Sequence, residues 1–203
     1  MVTNVTRVTL QDENYPELLK SIFDPPEILY VLGKLPKQKM IAIVGTRKIT
    51  DFGQKMTAKV TKEFVEEGFV IVSGLALGVD TVAHQTAIEN GGKTVAVLGA
   101  GVDIIYPPAN RDLYNSILAS SGAIISEVPP GQYVSKEKFP ARNRIISGLC
   151  EAVIVTESEL KSGSLITARL ALDQGREVFA VPGSPGPDYL ISCGARSLAD
   201  FIK

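Results

Sequence analysis

The chain has 203 residues, 45% of them hydrophobic, which describes one domain with a substantial core. Its 21 basic residues against 22 acidic ones give a net charge of -1, so a global basic field is excluded and any nucleic-acid site must be a local patch. Two cysteines without C-x-x-C spacing, no basic-then-apolar leader and no apolar run of membrane length argue against a disulfide framework, a zinc site, a signal peptide and a membrane span.

Residues 1–38 read as an N-terminal extension or linker. A short helix is predicted over 14–22, Asp24-Pro25-Pro26 breaks the chain, and 28–32 is an edge strand or a connector. From residue 39 to 203 apolar, β-branched runs alternate with helical patterns. Strands are predicted at 41–44, 69–72, 94–98, 123–126, 152–155 and 177–181, several apolar at nearly every position, as strands covered on both faces are. Helices are predicted at 53–67, 79–90, 112–120, 141–149 and 164–174. In the first, Met56, Val60 and Phe64 form one apolar stripe, and Gly68 stops it. Residues 183–187 form a turn-rich loop, and 189–202 a closing helix.

Such alternation implies an α/β fold: a doubly wound, mostly parallel sheet with helices on both faces. Ligands of such sheets bind beyond the carboxyl ends of the strands, where strand order switches. Small residues cluster on that edge. Gly45-Thr46-Arg47 follows the first of these strands; the amides of the next helix start, with Arg47 as counter-charge, suit a phosphate, while the plainer reading is a turn with an exposed arginine. Ser73 and Gly74 follow the next strand. Ser73 is as well suited to a ligand as to a turn, Gly74 and Gly78 permit close approach, and Asp80 reads as a helix cap or as the orienter of a basic residue.

Gly99-Ala100-Gly101 is half of a dinucleotide fingerprint. Ile104 stands where the third glycine belongs and no acid follows at the required distance, which argues against NAD. Tyr106 in the stiff loop behind it either packs or stacks, packing being the plainer reading. Lys136 to Arg144 carries four cations against one acid, with Pro140 in the first helical turn. Phe139 is either a staple or a base-stacking platform among Lys136, Lys138, Arg142 and Arg144, and Asn143 either reads a base or caps a loop. Ser162-Gly163-Ser164 opens a helix and forms an anion site without the lysine of a P-loop, so ATP hydrolysis through it is not expected. His84, the sole histidine, stands four residues from Asp80 and reads as a surface pair. Glu157 and Glu159 lack the partner acids of two-metal chemistry. Neither a metal nor a cofactor is expected.

Together these motifs resemble the DNA-processing protein A family, also called DprA or Smf. The resemblance runs from Tyr15-Pro16 and Asp24-Pro25-Pro26 through the loops above to Tyr106-Pro107, Phe139-Pro140-Ala141-Arg142-Asn143-Arg144, Ser162-Gly163-Ser164-Leu165-Ile166-Thr167-Ala168 and Val181-Pro182-Gly183. It implies an extended Rossmann-like domain that binds single-stranded DNA without catalysis, loads the recombinase RecA in natural transformation and forms homodimers. It gives Arg47, in a loop where Thr46 replaces the family's serine, a DNA-binding role. Lys136, less surely Lys138, becomes the lysine before the Phe-Pro motif, Phe139 a base contact, and Arg142 and Asn143 pocket contacts. The family's winged-helix-like domain has no counterpart here, and its N-terminal helical domain has at most a remnant. A soluble, cytoplasmic, non-enzymatic single-strand DNA-binding mediator is thus expected. The alternative is a Rossmann-like nucleotide enzyme such as a nucleoside monophosphate phosphoribohydrolase, and a third reading is a pure interaction scaffold.

Overall fold

The computed structural model describes residues 4–133 and 138–199, and of 138–140 the backbone alone. Among them, nine strands form one sheet. Its spatial order is β1 (Val5–Thr9), β2 (Ile28–Gly33), β6 (Ala123–Ser126), β5 (Thr94–Val97), β4 (Val70–Ser73), β3 (Met40–Val44), β7 (Ala152–Val155), β8 (Glu177–Ala180) and β9 (Arg196–Ser197). Strands β3 to β9 run parallel to one another, and β2 is antiparallel to both β1 and β6.

The helices are α1 (Glu17–Lys20), α2 (Asp51–Glu66), α3 (Val79–Glu89), α4 (Arg111–Ala119), α5 (Lys138–Gly148), α6 (Gly163–Asp173) and α7 (Pro185–Ser192). Successive strand residues point to opposite faces, and both faces are covered. Ile41, Ile43, Ile71 and Ile154 meet Val60 of α2 and Val79, Ala83 and Ala87 of α3. Ala96 and Ile124 continue that layer against Leu113, Tyr114 and Ile117 of α4. On the other face Ala42, Val44, Val97, Ile125 and Val153 meet Leu19 of α1, Ile145 and Ile146 of α5, Ala168 and Ala171 of α6 and Leu190 of α7. Each fully buried isoleucine is worth about 1.5–3 kcal/mol, which is why the unbroken apolar runs settle in the sheet interior.

Three expectations need correction. Residues 28–32 are neither an edge strand nor a connector: β2 lies inside the sheet, because β1, unread in the sequence, pairs along its outer side. Tyr15, Leu19, Ile22 and Leu29 join the same core. The helix read over 189–202 lies over Pro185–Ser192 instead. Pro185 is pre-set for a first helical turn, Gly194 turns the chain out at φ 102°, and the chain then pairs as β9 with β8. An Arg196–Glu177 ion pair of 2.9 Å flanks that pairing. Finally α5 starts at Lys138, three residues before the predicted start, with Pro140 in its first turn.

The topology also locates a crevice. From β3 the chain moves to β4, β5 and β6 on one side, then returns to lay β7, β8 and β9 on the other. The loops leaving the adjacent strands β3 and β7 therefore diverge, and the gap between them opens at the carboxyl edge.

Candidate functional site

A recess of about 370 Å³ occupies that gap. The loop after β3 contributes Gly45, Thr46 and Arg47; α5 contributes Arg142, Asn143 and Ile146; the start of α6 contributes Ser162, Gly163, Ser164, Ile166 and Thr167, with Lys161 and Glu159 just before it.

The β3 loop is clamped from two sides. The Thr46 amide donates to the Glu157 carbonyl at 2.7 Å, and the Thr46 carbonyl accepts from Val79 of α3 at 3.1 Å. A Cβ at Gly45 would stand 2.5 Å from the Val79 side chain and 2.6 Å from the Glu157 carbonyl, so only glycine lets the three segments meet. Arg47 is thereby held exposed at the mouth.

Of the two readings the sequence left open for the loop after β3, the occupied start of α2 favours the turn with an exposed arginine. The buried Glu157 carboxylate already accepts from the Thr50 amide (3.0 Å) and hydroxyl (2.7 Å), and the Thr50 hydroxyl accepts from the Gly53 amide. A carboxylate at a helix N-terminus is held by the charge-assisted bonds and the dipole. Among the described residues no carboxylate plugs the start of α6 in this way. Ser162 caps it by accepting from the Ser164 amide, the two hydroxyls lie 2.8 Å apart, and the turn faces the recess.

Arg142 lies at the recess floor. It is 6% exposed, donates to the Gly74 carbonyl at 2.9 Å and to the Val97 carbonyl, and its Nε donates to Asn143 Oδ1 at 3.2 Å. Asn143 Nδ2 passes the chain on to the Gly163 carbonyl at 3.3 Å. One string of hydrogen bonds thus joins the ends of β4 and β5 to the start of α6. Burial pushes Arg142 down to about 10, against the neighbouring Asp80 and with Arg47 adding to the fall, so it remains a cation at neutral pH.

Asp80 does not cap α3, whose N-cap is Gly78. It is buried, accepts from the Gly74 and Ala76 amides at 3.1 and 3.2 Å, and faces Arg142, taking the orienting role that the sequence left as the second choice. Burial raises its pKa; Arg142 and the amides oppose the rise. Asp80 and His84 are not a surface pair either. His84 is fully buried, and its Nδ1 lies 2.6 Å from the Thr94 hydroxyl, which itself donates to the Ile71 carbonyl. The Nδ1 atom therefore carries the proton. Burial, then the Arg142 charge, pushes the ring down to about 3, leaving it neutral.

Of the residues singled out in the sequence, Gly45, Thr46, Arg47, Asp80, Arg142, Asn143, Glu159, Ser162, Gly163 and Ser164 come together in the recess. Ser73 and Gly74 do not line it. The Ser73 hydroxyl is buried in the sheet, donating to the Ile43 carbonyl at 2.6 Å, and Gly74 lies beneath the Arg142 guanidinium. Arg144 turns away to Glu127 at 2.6 Å and Asp24 at 3.2 Å. Lys136 lies outside the described residues, as do the side chains of Lys138 and Phe139. Lys161 was missed, although a lysine directly before the serine-glycine-serine turn was an available signal, and Thr167, quoted only as part of that motif, also lines the recess. Among the described residues no group of three or more His, Cys, Asp or Glu could hold a metal, and no helix is long and apolar enough to cross a membrane.

Comparison with known proteins agrees with this architecture. The family model described as DNA recombination-mediator protein A matches residues 6–200. A protein Smf from Synechocystis is 48% identical over 192 residues, covering 92% of this chain and 48% of that relative, so the chain spans about half the relative's length. The crystal structure of DNA processing protein A from Streptococcus pneumoniae superposes with a TM-score of 0.89 at 42% identity, covering 97% of this chain and 72% of that one. A Helicobacter pylori DNA processing protein A, whose structure concerns its single-stranded DNA binding mode, superposes with a TM-score of 0.86 at 33% identity over 100% of this chain and 95% of that one.

Proposed function

We infer the function from one premise: this chain belongs to the DNA recombination-mediator protein A family. On our reading its domain is a non-enzymatic binder of single-stranded DNA that serves recombination. The observation that carries this reading is the recess at the strand switch. There Arg47 and Lys161 stand exposed at the mouth, Arg142 stays charged below, and the unplugged start of α6 faces inward. Cations and amides of this kind hold phosphates irrespective of sequence. Asn143 braces the floor through one bond on each side of its amide, and its second N–H and second lone pair remain for a base edge. The Helicobacter relative's single-strand binding supports the same ligand. From the family resemblance we extend the proposal to RecA loading during DNA uptake, by a homodimer in the cytoplasm.

Titration with labelled single- and double-stranded oligomers at two ionic strengths tests this. Single strands should bind more tightly, in any sequence. If about four cations, the Lys136–Lys138 stretch included, meet phosphates, log affinity should fall against log salt with a slope of about -3, roughly 0.7 per contact. Salt-independent affinity, or release of free base from nucleoside monophosphates, would overturn the reading. The first result would remove the phosphate groove and the second would restore the nucleotide-enzyme alternative.

A further inference from the structure

At about 370 Å³ the recess is at the small end of ligand pockets, so a polynucleotide seated there must run on past its mouth. The carboxyl edge of the sheet shows one way on. The loops following β4, β5 and β6 each present a large apolar side chain to solvent: Leu77 at 45% exposure, Tyr106 at 49% and Tyr133 at 78%. Tyr106, for which the sequence left packing and stacking open, is thus about half exposed.

These loops are braced to one another, and so form a rim rather than separate flaps. The loop after β3 is bonded to that after β4 through Thr46 and Val79. The loop after β4 is held to that after β5 by Asn110, whose Nδ2 donates to the Leu75 carbonyl at 2.9 Å. The loop after β5 is held to that after β6 twice: Gly101 donates to the Gln132 carbonyl at 2.9 Å, and Asp103 accepts from the Gly131 amide at 2.9 Å. The last two bonds fix Gln132 and Gly131, the residues directly before Tyr133. From β3 to β6 the rim spans three strand spacings, ~14 Å.

We propose that this rim is the continuation of the polynucleotide path, with Tyr106 and Tyr133 as platforms on which successive unpaired bases stack after the strand leaves the recess over Leu77. Aromatic faces accept any base, so the track keeps the sequence tolerance of the recess. The proposal rests on the single-strand reading above and adds a direction to it: away from β7 and α6, toward β6.

The chain has no tryptophan, so Tyr106→Trp and Tyr133→Trp each create a unique fluorophore. Thymidine trinucleotide and a fifteen-nucleotide oligothymidylate are the probes. The longer oligomer should quench both indoles, and the trinucleotide should leave the Tyr133→Trp indole unquenched. Tyr106→Ala and Tyr133→Ala should each weaken the longer oligomer roughly tenfold and leave the trinucleotide unchanged, while Tyr133→Phe keeps wild-type affinity. Both side chains are solvent-facing, and circular dichroism checks that the variants fold. If the wild-type protein binds neither oligomer, the function and the track fall together. If it binds the longer oligomer and neither alanine variant weakens it, or both probes weaken equally, the track falls and the DNA reading stands.

Discussion

Two helix starts follow the adjacent strands β3 and β7 at the same switch point and behave in opposite ways. The start of α2 is closed by the protein's own carboxylate, Glu157, reaching from the loop after β7. The start of α6 is capped by the hydroxyl of Ser162 alone and lines the recess. Both carry the same partial positive charge of a helix N-terminus. A helix start is therefore an anion site only where no internal carboxylate has reached it first, and one glutamate decides which of the two loops is structural.

The largest effect should come from removing that glutamate. Glu157→Ala should lower stability by about 3 kcal/mol in urea unfolding, since it takes away charge-assisted bonds to a helix start and opens a buried space. A loss below about 0.5 kcal/mol would mean that α2 does not depend on its plug. Next, Gly74→Ala places a methyl group 2.5–2.6 Å from the buried Arg142 guanidinium. Overpacking should cost about 2 kcal/mol and also weaken single-strand binding, because Arg142 is displaced from the recess floor. Unchanged affinity in that variant would remove Arg142 from the site.

On the open side, Arg47→Ala should weaken single-stranded DNA about tenfold and reduce the salt slope by about 0.7, with stability altered by less than about 0.5 kcal/mol. A stability loss without an affinity loss would assign Arg47 to the frame instead. The smallest change is expected for Ser162→Ala, a lost cap worth about 1 kcal/mol by thermal or urea unfolding. Equal losses for Ser162→Ala and Glu157→Ala would erase the distinction between the two helix starts.

Much of the scaffold was legible in the sequence because burial on both faces leaves a simple trace. The strands at 123–126 and 152–155 were read to the residue, since every position in them is buried. β1 left little trace: in Val5–Thr9 only Val8 is buried, and a short edge strand with polar faces resembles a loop. The recess was half legible. Glycines and hydroxyls flagged the right edge, but His84 was read as a surface residue, and neither the Arg142 charge facing Asp80 nor the Thr50 partner of Glu157 shows in the local sequence.

Sequence alone therefore determined the alternating elements, the carboxyl edge as the place for a ligand, and the residue types gathered on it, because each follows from local periodicity and turn chemistry. Only the tertiary structure decided which members of that set face the recess. Arg142 turns in and Arg144 turns out to Glu127; Glu157 closes one helix start and leaves the other open. The reason is physical. A buried charge goes where carbonyls or counter-charges meet it, and those partners stand as many as 120 positions away along the chain, brought near only when the strands assemble.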